Sequence, residues 1–461
     1  MYIVDFTKPI HIHFIGIGGI SMSGLAEILL KENFRISGSD AKENALTDRL
    51  TELGAQIQYG QRASNITDGI DLVVYTAAIH PDNPEYQEAA RRQIPMLTRA
   101  ELLGQIMKNY DTPIAVSGTH GKTTTTSLLS HILLAGDCDP TISVGGILPS
   151  IGGNIRVGNS ETFLTEACEY TNSFLSMYPH IGVILNMDAD HLDFFKDIDD
   201  IRSSFRKFAE LIPASGALII NADTPEYRQI TEGLACQVIT YGLENTGEAD
   251  YTAANITFDQ YAHPSFDCYY RQEKLGRFAL KVPGIHNVSN ALASLAVARQ
   301  LGLSDEVVRE GFSTFTGTDR RFQYKGTVCD VTIIDDYAHH PTEIEATLKA
   351  AAECPHKTMW CVFQPHTYTR TKALMDEFAQ ALSMAGHVVL AKIYPARETD
   401  NLGISSADLQ KGIQARGTAC EYFETFDEIE NYLLEHITPG DMVITMGAGD
   451  IVMVGERLLG E

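Results

Sequence analysis

The segment Gly118-Thr119-His120-Gly121-Lys122-Thr123-Thr124 combines glycines, a lysine and hydroxyl side chains in an order suited to holding phosphate groups. A lysine on a loop at a helix N-terminus can reach terminal phosphates, and the hydroxyl of Thr123 can ligate a magnesium ion. The full P-loop pattern would have its first glycine at position 116, where Val116 stands, so this loop is a shorter variant. The segment predicts an ATP-binding site.

A second glycine loop lies near the N-terminus. The strand predicted over residues 10–15 is followed by Gly16-Ile17-Gly18-Gly19 and a helical pattern. Such a loop directs backbone N–H groups and the positive end of a helix toward a pyrophosphate. The next strand ends in Ser39-Asp40, where a Rossmann fold carries its ribose-binding acid. The dinucleotide fingerprint would have glycine where Ser21 stands, so the loop favours a nucleotide other than NAD. The alternative is a glycine turn needed only for close helix packing.

Acidic residues follow two further predicted strands. Glu166 follows the strand predicted over residues 163–165, and the segment 186–193 follows the strand predicted over residues 183–185. Ligands of α/β sheets bind at the carboxyl ends of the strands. Oxygen atoms are the ligands that magnesium prefers, so Glu166 is a candidate ligand together with Thr123. His191 is an imidazole among these oxygen ligands, and by residue type alone it would more often be structural.

The C-terminal third of the chain carries histidines and arginines that follow its predicted strands. Guanidinium groups bind carboxylates strongly, and imidazoles add polar contacts, so this set is a candidate site for an amino acid or a carboxylate-bearing substrate. The candidates are Tyr337, His339, His340, His366, Arg370 and Arg397. The adjacent pair His339-His340 also raises the question of a zinc site, but no third ligand stands at a recognisable spacing.

Short β-rich runs alternate with amphipathic helices along the chain, which predicts an α/β fold with mostly parallel sheets. Residues 236–282 are rich in Tyr, Thr and Phe and predict additional antiparallel strands. The length of 461 residues corresponds to about three domains of roughly 150 residues each. Breaks in the pattern place these domains at 1–110, 111–316 and 317–461.

Composition excludes several classes of partner. The 35 basic and 60 acidic residues give a net charge of -25, which opposes binding to nucleic acid or to an anionic membrane surface. The sequence has no signal-peptide pattern at Met1 and no apolar run of about 18 residues, so we expect no membrane insertion. The eight cysteines form no C-x-x-C pair, which favours free thiols in a reducing cytoplasm. The oligomeric state, monomer or dimer, stays open.

Taken in order, the motifs resemble the Mur ligases, the ATP-dependent ligases of peptidoglycan and cell-wall synthesis. Besides the loop at 118–124, the resemblance rests on residues 16–19, 99–101, 166–169, 190–193, 284–287, 320–322, 335–343, 364–366, 394–398 and 447–450. It implies three α/β domains: a Rossmann-like N-terminal domain, a central P-loop-like ATPase with a mostly parallel sheet plus a small antiparallel sheet, and a Rossmann-like C-terminal domain.

The resemblance also implies an activity. L-alanine would be joined to the lactyl carboxylate of UDP-N-acetylmuramate through an acyl phosphate, with ADP and phosphate as products. The N-terminal loop, with Gly16, Gly18, Gly19, Ser39 and Asp40, would hold the UDP-sugar. The central domain would hold ATP and Mg2+, and the C-terminal domain would bring in L-alanine.

Particular roles follow from the same resemblance. Lys122, Glu166 and His191 would carry the catalysis, with His191 as a ligand of a second magnesium ion. Asn287 would contact the adenine, while Arg321 and Asp336 would reach the phosphates and ribose of ATP.

The sequence departs from the family pattern at two positions. Cys168 stands where many members carry aspartate, and Thr367 stands where many carry arginine.

Three alternatives are open at this point. The first is a recycling ligase that attaches a preformed tripeptide to the same UDP-sugar. The second is an NAD-dependent oxidoreductase, which Ser21 and the loop at 118–124 oppose. The third is a non-catalytic ATP-binding regulator, which the presence of Lys122, Glu166 and His191 opposes.

Overall fold

The computed structural model describes residues 2–76, 78–191, 194–244 and 247–460. The chain forms two compact units. The first comprises the residues up to Met187 together with Arg202–Thr240, and the second comprises Asp188–Ile201 together with the residues from Tyr241 onward.

The N-terminal part of the first unit is a five-stranded parallel sheet with the order β3-β2-β1-β4-β5. Its strands are β1 (His11–Ile15), β2 (Arg35–Asp40), β3 (Gln56–Tyr59), β4 (Leu72–Tyr75) and β5 (Met96–Thr98). Its helices are α1 (Ile20–Lys31), α2 (Ala45–Glu52), α3 (Pro84–Arg91) and α4 (Arg99–Met107). The strand order reverses at β1, and the crevice at such a point is where open α/β sheets bind ligands.

A second sheet of the first unit runs in the order β12-β11-β10-β6-β9-β7-β8. Its strands are β6 (Thr112–Ser117), β7 (Thr141–Leu148), β8 (Gly153–Arg156), β9 (Thr162–Ala167), β10 (Ile181–Ile184), β11 (Ala217–Asn221) and β12 (Gln237–Gly242). The helices of this region are α5 (Lys122–Ala135), α6 (Ile198–Glu210) and α7 (Tyr227–Thr231). Central strand β6 pairs in parallel with β9 and β10, so the ends of these strands share one edge.

The second unit contains the end of β12, where Tyr241 and Gly242 pair in parallel with β13 (Tyr251–Phe258). Strands β14 (Pro264–Tyr270) and β15 (Glu273–Ala279) continue antiparallel, and helices α8 (His286–Gln300) and α9 (Asp305–Thr314) follow. The expectation of antiparallel strands over 236–282 is therefore correct for β13 to β15. It is wrong for β12, whose residues Tyr241 and Gly242 pair in parallel because the chain crosses over before β13.

The C-terminal sheet of the second unit has the order β16-β17-β21-β18-β19-β20. Its strands are β16 (Gln323–Val328), β17 (Val331–Asp336), β18 (Met359–Phe363), β19 (His387–Leu390), β20 (Ala419–Tyr422) and β21 (Met442–Met446). The helices are α10 (Pro341–Ala352), α11 (Tyr368–Ala373), α12 (Met375–Leu382), α13 (Ser406–Gln414), α14 (Phe426–His436) and α15 (Val452–Leu459). Only β16 runs antiparallel to its neighbour among these described strands.

Local sequence explains why these elements form. The strand β18, Met-Trp-Cys-Val-Phe, is buried at every position, as expected for a parallel strand covered on both faces. Helix α4 begins with a capping box in which Thr98 and Glu101 bond to each other's backbone N–H. Two apolar clusters, one around Phe363 and one around Trp360, pack on the C-terminal sheet.

No helix of the described residues is long and apolar enough to cross a membrane. The eight cysteines are all free thiols.

Candidate functional site

The loop at 118–121 connects β6 to α5 and is held in one conformation. Gly118 has φ of +141°, and an added Cβ would lie 2.9 Å from Cβ of Leu185, so only glycine fits there. Asn186 clamps the loop, because its Oδ1 accepts from His120 N at 2.8 Å and its Nδ2 donates to His120 O at 3.1 Å. The role of Asn186 was not predicted. The position directly after a strand was the only signal for it in the sequence.

Lys122 is the first residue of α5, and its ammonium group has acceptors on three sides. Its Nζ donates to Gly118 O at 2.5 Å, to Thr119 O at 3.1 Å and to Glu169 Oε2 at 2.9 Å. Burial by itself would lower the pKa of Lys122, but the negative charge of Glu169 outweighs burial and raises that pKa. Lys122 therefore carries a fixed positive charge at the N-terminus of α5.

Glu166 lies beside the same loop because of strand register. Residue 166 pairs with Val116 of β6, and β9 continues to Ala167, so Glu166 lies within the strand and not after it. Thr123 Oγ1 donates to Glu166 Oε2 at 3.1 Å, and Gly145 N donates to Glu166 Oε1 at 2.5 Å. A hydroxyl beside a carboxylate is a donor set that suits a hard cation such as magnesium.

The third predicted metal ligand, His191, belongs to the second unit. Within the described ranges, no group of three or more His, Cys, Asp or Glu side chains is arranged to hold a metal ion. Leu192 and Asp193, which complete the segment predicted at 186–193, lie outside the described residues. The structure thus brings together Thr123 and Glu166, and the magnesium site stays a prediction.

The N-terminal loop is anchored to the end of β2. Gly16 N and Ile17 N donate to Ser39 O at 2.8 and 3.0 Å, and Gly18 N donates to Asp40 Oδ2 at 2.8 Å. The two residues predicted at the strand end therefore contact the glycine loop. Ser39 does so through its backbone oxygen, while its buried side chain donates to Glu85.

Glu85 is a buried residue of this region that sequence reasoning missed. Its carboxylate accepts from Ser39 Oγ at 2.6 Å, Asn65 Nδ2 at 2.5 Å and Arg62 N at 3.2 Å, and His13 Nε2 lies 3.4 Å away. Burial by itself raises the pKa of Glu85, but these hydrogen bonds outweigh it and hold the pKa below its ordinary value. An acidic residue in the first turn of a helix is usually a surface feature, so the sequence held no signal for this role.

Close helix packing, the alternative explanation for this glycine-rich segment, applies to Gly24. An added Cβ there would overlap Cγ1 of Ile155 on β8. Ser21, which replaces the fingerprint glycine, accepts a hydrogen bond from Arg99 Nη1 at 3.0 Å. The glycine that allows close packing thus stands at position 24, three residues after the fingerprint position that Ser21 occupies.

In the second unit, Arg370 and Asp190 form a mostly buried ion pair, with 3.0 Å between Arg370 Nε and Asp190 Oδ1. Burial by itself would raise the pKa of Asp190, but the charge of Arg370 and smaller contributions from neighbouring histidines together outweigh burial and hold that pKa far below its ordinary value. Arg370 Nη1 also lies 3.2 Å from His366 Nδ1. Arg370 is therefore engaged with protein groups on two sides.

The predicted histidines gather around that pair. The His339 ring lies 5.8 Å from that of His366, and His366 stacks on Tyr394 at 5.6 Å between ring centroids. Burial lowers the pKa of His339 and of His366 to about 4, so both rings are neutral at pH 7. Tyr337 packs edge-on against His339. These side chains therefore form a polar, uncharged surface next to Arg370.

His340 has a different position from the rest of the cluster. It is buried and caps α10, where its Nδ1 accepts from Thr342 N at 3.4 Å. Arg397 is exposed and forms no ion pair with any residue that the structure describes.

The predicted ATP contacts of the second unit are partly engaged in its own fold. Asp336 is buried, and its carboxylate accepts from Phe322 N and Ala338 N at 2.9 and 2.7 Å. Burial raises the pKa of Asp336 to about 6, against the opposing charge of Arg321. Asn287 donates to Pro283 O at 2.7 Å.

Two glycine loops at strand ends, with a lysine and a threonine–glutamate pair at the second, define a multidomain α/β enzyme that binds nucleotides. Three family models match the chain in order: the Mur ligase family, catalytic domain, at 11–111, the Mur ligase middle domain at 116–298, and the Mur ligase, glutamate ligase domain, at 320–449. The chain belongs to the Mur ligase family. These matches confirm the three α/β domains, and the exact boundaries predicted at 110 and 316 stay predictions.

Individual relatives agree with the family. The chain is 58% identical to the UDP-N-acetylmuramate–L-alanine ligase of Lachnospira eligens and 59% identical to that of Agathobacter rectalis, each over 100% of both chains. Its structure is similar to that of UDP-N-acetylmuramate-alanine ligase MurC of Thermotoga maritima, with a TM-score of 0.80, 29% identity and 98% coverage of both chains. It shares its fold with the murein peptide ligase of Psychrobacter arcticus, with a TM-score of 0.71 and 24% identity over 98% of both chains.

Proposed function

We propose that this chain is an ATP-dependent ligase that joins L-alanine to the lactyl carboxylate of UDP-N-acetylmuramate in peptidoglycan synthesis. The observation that carries the proposal is the full-length identity of 58% and 59% to two ligases with that activity in their names. The free thiols suit the reducing cytoplasm in which we propose that it works.

The chemistry needs a carboxylate to become a good acyl donor. A carboxylate oxygen attacks the γ-phosphorus of ATP, ADP leaves, and an acyl phosphate forms. The amine nitrogen of L-alanine then attacks the carbonyl carbon, phosphate leaves with the C–O electron pair, and the nitrogen loses a proton. Negative charge accumulates in the first step, so fixed positive charge and oriented N–H groups lower its barrier.

Lys122 is the residue that we propose for the terminal phosphates. It already presents a charged ammonium group at the N-terminus of α5, where the helix dipole also favours anions. Thr123 and Glu166 would hold Mg2+, which would neutralise phosphate charge when bound. Because the chain has a net charge of -25, its overall field repels ATP and the UDP-sugar, so these local groups have to capture them.

The amino acid would bind in the C-terminal domain. Neutral His339 and His366 do not repel its ammonium group, which supports their place near the incoming amine. Arg370 is paired with Asp190, whereas Arg397 forms no ion pair with described residues. We therefore favour Arg397 as the anchor of the L-alanine carboxylate and Arg370 as a group that shapes the pocket.

The test is amide formation and phosphate release from ATP with purified protein, UDP-N-acetylmuramate, L-alanine and Mg2+. L-alanine and a tripeptide offered in competition decide between the synthetic ligase and the recycling ligase. Lys122→Ala should abolish the product, while the control Lys349→Ala, on an exposed helix face, should leave it unchanged. Folded protein that forms no amide from L-alanine would contradict the proposal.

A further inference from the structure

Arg99 places a positive charge next to the C-terminal end of the N-terminal glycine loop. It is the first residue of α4, directly after the capping residue Thr98. Its partly buried side chain donates from Nη1 to Ser21 Oγ at 3.0 Å. Ser21 is the second residue of α1, directly beyond the loop at 16–19. The guanidinium therefore lies beside the amides at the start of α1, where a helix has no internal acceptors for its first N–H groups.

This guanidinium has no carboxylate partner among the described residues. The nearby Arg91 and Arg92 behave differently, since both pair with Glu88 at 2.7 and 2.6 Å. Burial lowers the pKa of Arg99, because folding removes water from part of its side chain. Charges that are partly taken out of water are normally paired, so this guanidinium is suited to bind an anion.

We propose that Arg99 binds an anionic oxygen of the UDP-sugar substrate. This inference rests on the proposed function. The protein has 60 acidic residues against 35 basic ones, yet none of the described acids pairs with this arginine. A guanidinium left without a partner in so acidic a chain fits a site whose counter-ion is the substrate.

The same substrate offers two such anions, the pyrophosphate and the lactyl carboxylate. Contact with Ser21 places Arg99 next to the loop that would hold the pyrophosphate. Its electrostatic interaction with Cys168 places it also near the end of β9, the strand that carries Glu166. Both sources present an oxyanion that a guanidinium fork can bind with two hydrogen bonds.

The experiment compares binding by titration calorimetry in wild type, Arg99→Lys, Arg99→Met and the control Arg91→Met. The ligands are UDP, UDP-N-acetylglucosamine, UDP-N-acetylmuramate and, separately, ATP. We expect Arg99→Met to weaken binding of UDP-N-acetylmuramate about 10- to 100-fold, because a charged hydrogen bond is lost. Binding of ATP should change less than about twofold, Arg99→Lys should lose less, and the control should match wild type.

The pattern across ligands identifies the anion. Weaker binding of all three UDP ligands assigns Arg99 to the pyrophosphate. Weaker binding of UDP-N-acetylmuramate alone assigns it to the carboxylate, which the other two ligands lack.

Three outcomes would overturn the inference. Unchanged binding of UDP-N-acetylmuramate by Arg99→Met contradicts it directly. An equal loss for ATP and UDP-N-acetylmuramate contradicts it as well, because that result marks a structural role. A wild-type chain that binds none of the UDP ligands would overturn the proposed function and this inference with it.

Discussion

Replacing Glu169 by alanine tests how the charge of Lys122 is balanced before ATP binds. Glu169 is 3% exposed and Lys122 is 16% exposed, so the pair is mostly out of water. Removing one partner of a buried ion pair costs about 3–5 kcal/mol. Lys122 keeps two carbonyl acceptors and some solvent contact, so we expect a loss below this range, about 2–3 kcal/mol.

This loss corresponds to a measurable shift in melting temperature. In a unit of this size each kcal/mol corresponds to about 2–4 °C, so Glu169→Ala should melt about 4–12 °C below wild type without nucleotide. Adding a non-hydrolysable ATP analogue should raise the melting temperature more in the variant than in wild type. The reason is that phosphates then supply the counter-charge that Glu169 supplied before.

Two control variants separate this effect from general loss of acidity. Glu169→Gln keeps an acceptor near Lys122 and should lose less stability than Glu169→Ala. Glu88→Ala removes a glutamate of α3 that pairs with Arg91 and Arg92, and this variant should respond to nucleotide as wild type does. The reasoning is refuted if nucleotide-free Glu169→Ala melts like wild type, or if the nucleotide stabilises both proteins equally.

Three further predictions concern packing and buried charge. Gly24→Ala should lower the free energy of unfolding by about 1–3 kcal/mol in urea titration. Adding Ile155→Ala should recover part of this loss in the double variant. If the effects of the two substitutions simply add, the overlap between the new Cβ and Ile155 is contradicted. Glu85→Gln should cost about 2 kcal/mol at pH 7. The folded pKa of Glu85 is lowered. The stability difference between wild type and Glu85→Gln should therefore be present above the unfolded pKa, about 4.3, and vanish as pH falls through the folded pKa. A stability difference that does not change with pH would refute this. Asp190→Ala and Arg370→Ala should show a coupling of about 0.5–3 kcal/mol in a double-mutant cycle of unfolding, whereas simple additivity would mean that the ion pair is not formed in solution.

The local features of the site could be predicted from sequence because they depend on neighbouring residues. A glycine loop between a strand and a helix is a short-range pattern, and both loops lie where the pattern placed them. Asp40 at the end of β2 and the helix that begins at His286 follow from the same kind of signal. The prediction for β12 was wrong because strand direction depends on the path of the chain between strands, which residue preferences do not record.

The partners of the charged groups could not be predicted in this way. Glu169 lies 47 positions from Lys122, Glu85 lies 46 positions from Ser39, and Arg370 lies 180 positions from Asp190. No periodicity links residues so far apart, so their meeting depends on the packed fold.

The sequence by itself determined the family, the two glycine loops and the types of residue available for catalysis. Only the tertiary structure decided which charges are paired within the protein and which are not. Lys122 and Arg370 have carboxylate partners, whereas Arg99 has none among the described residues. The physical reason is that desolvation and pairing are properties of three-dimensional surroundings, while residue type and spacing specify only what a side chain is able to do.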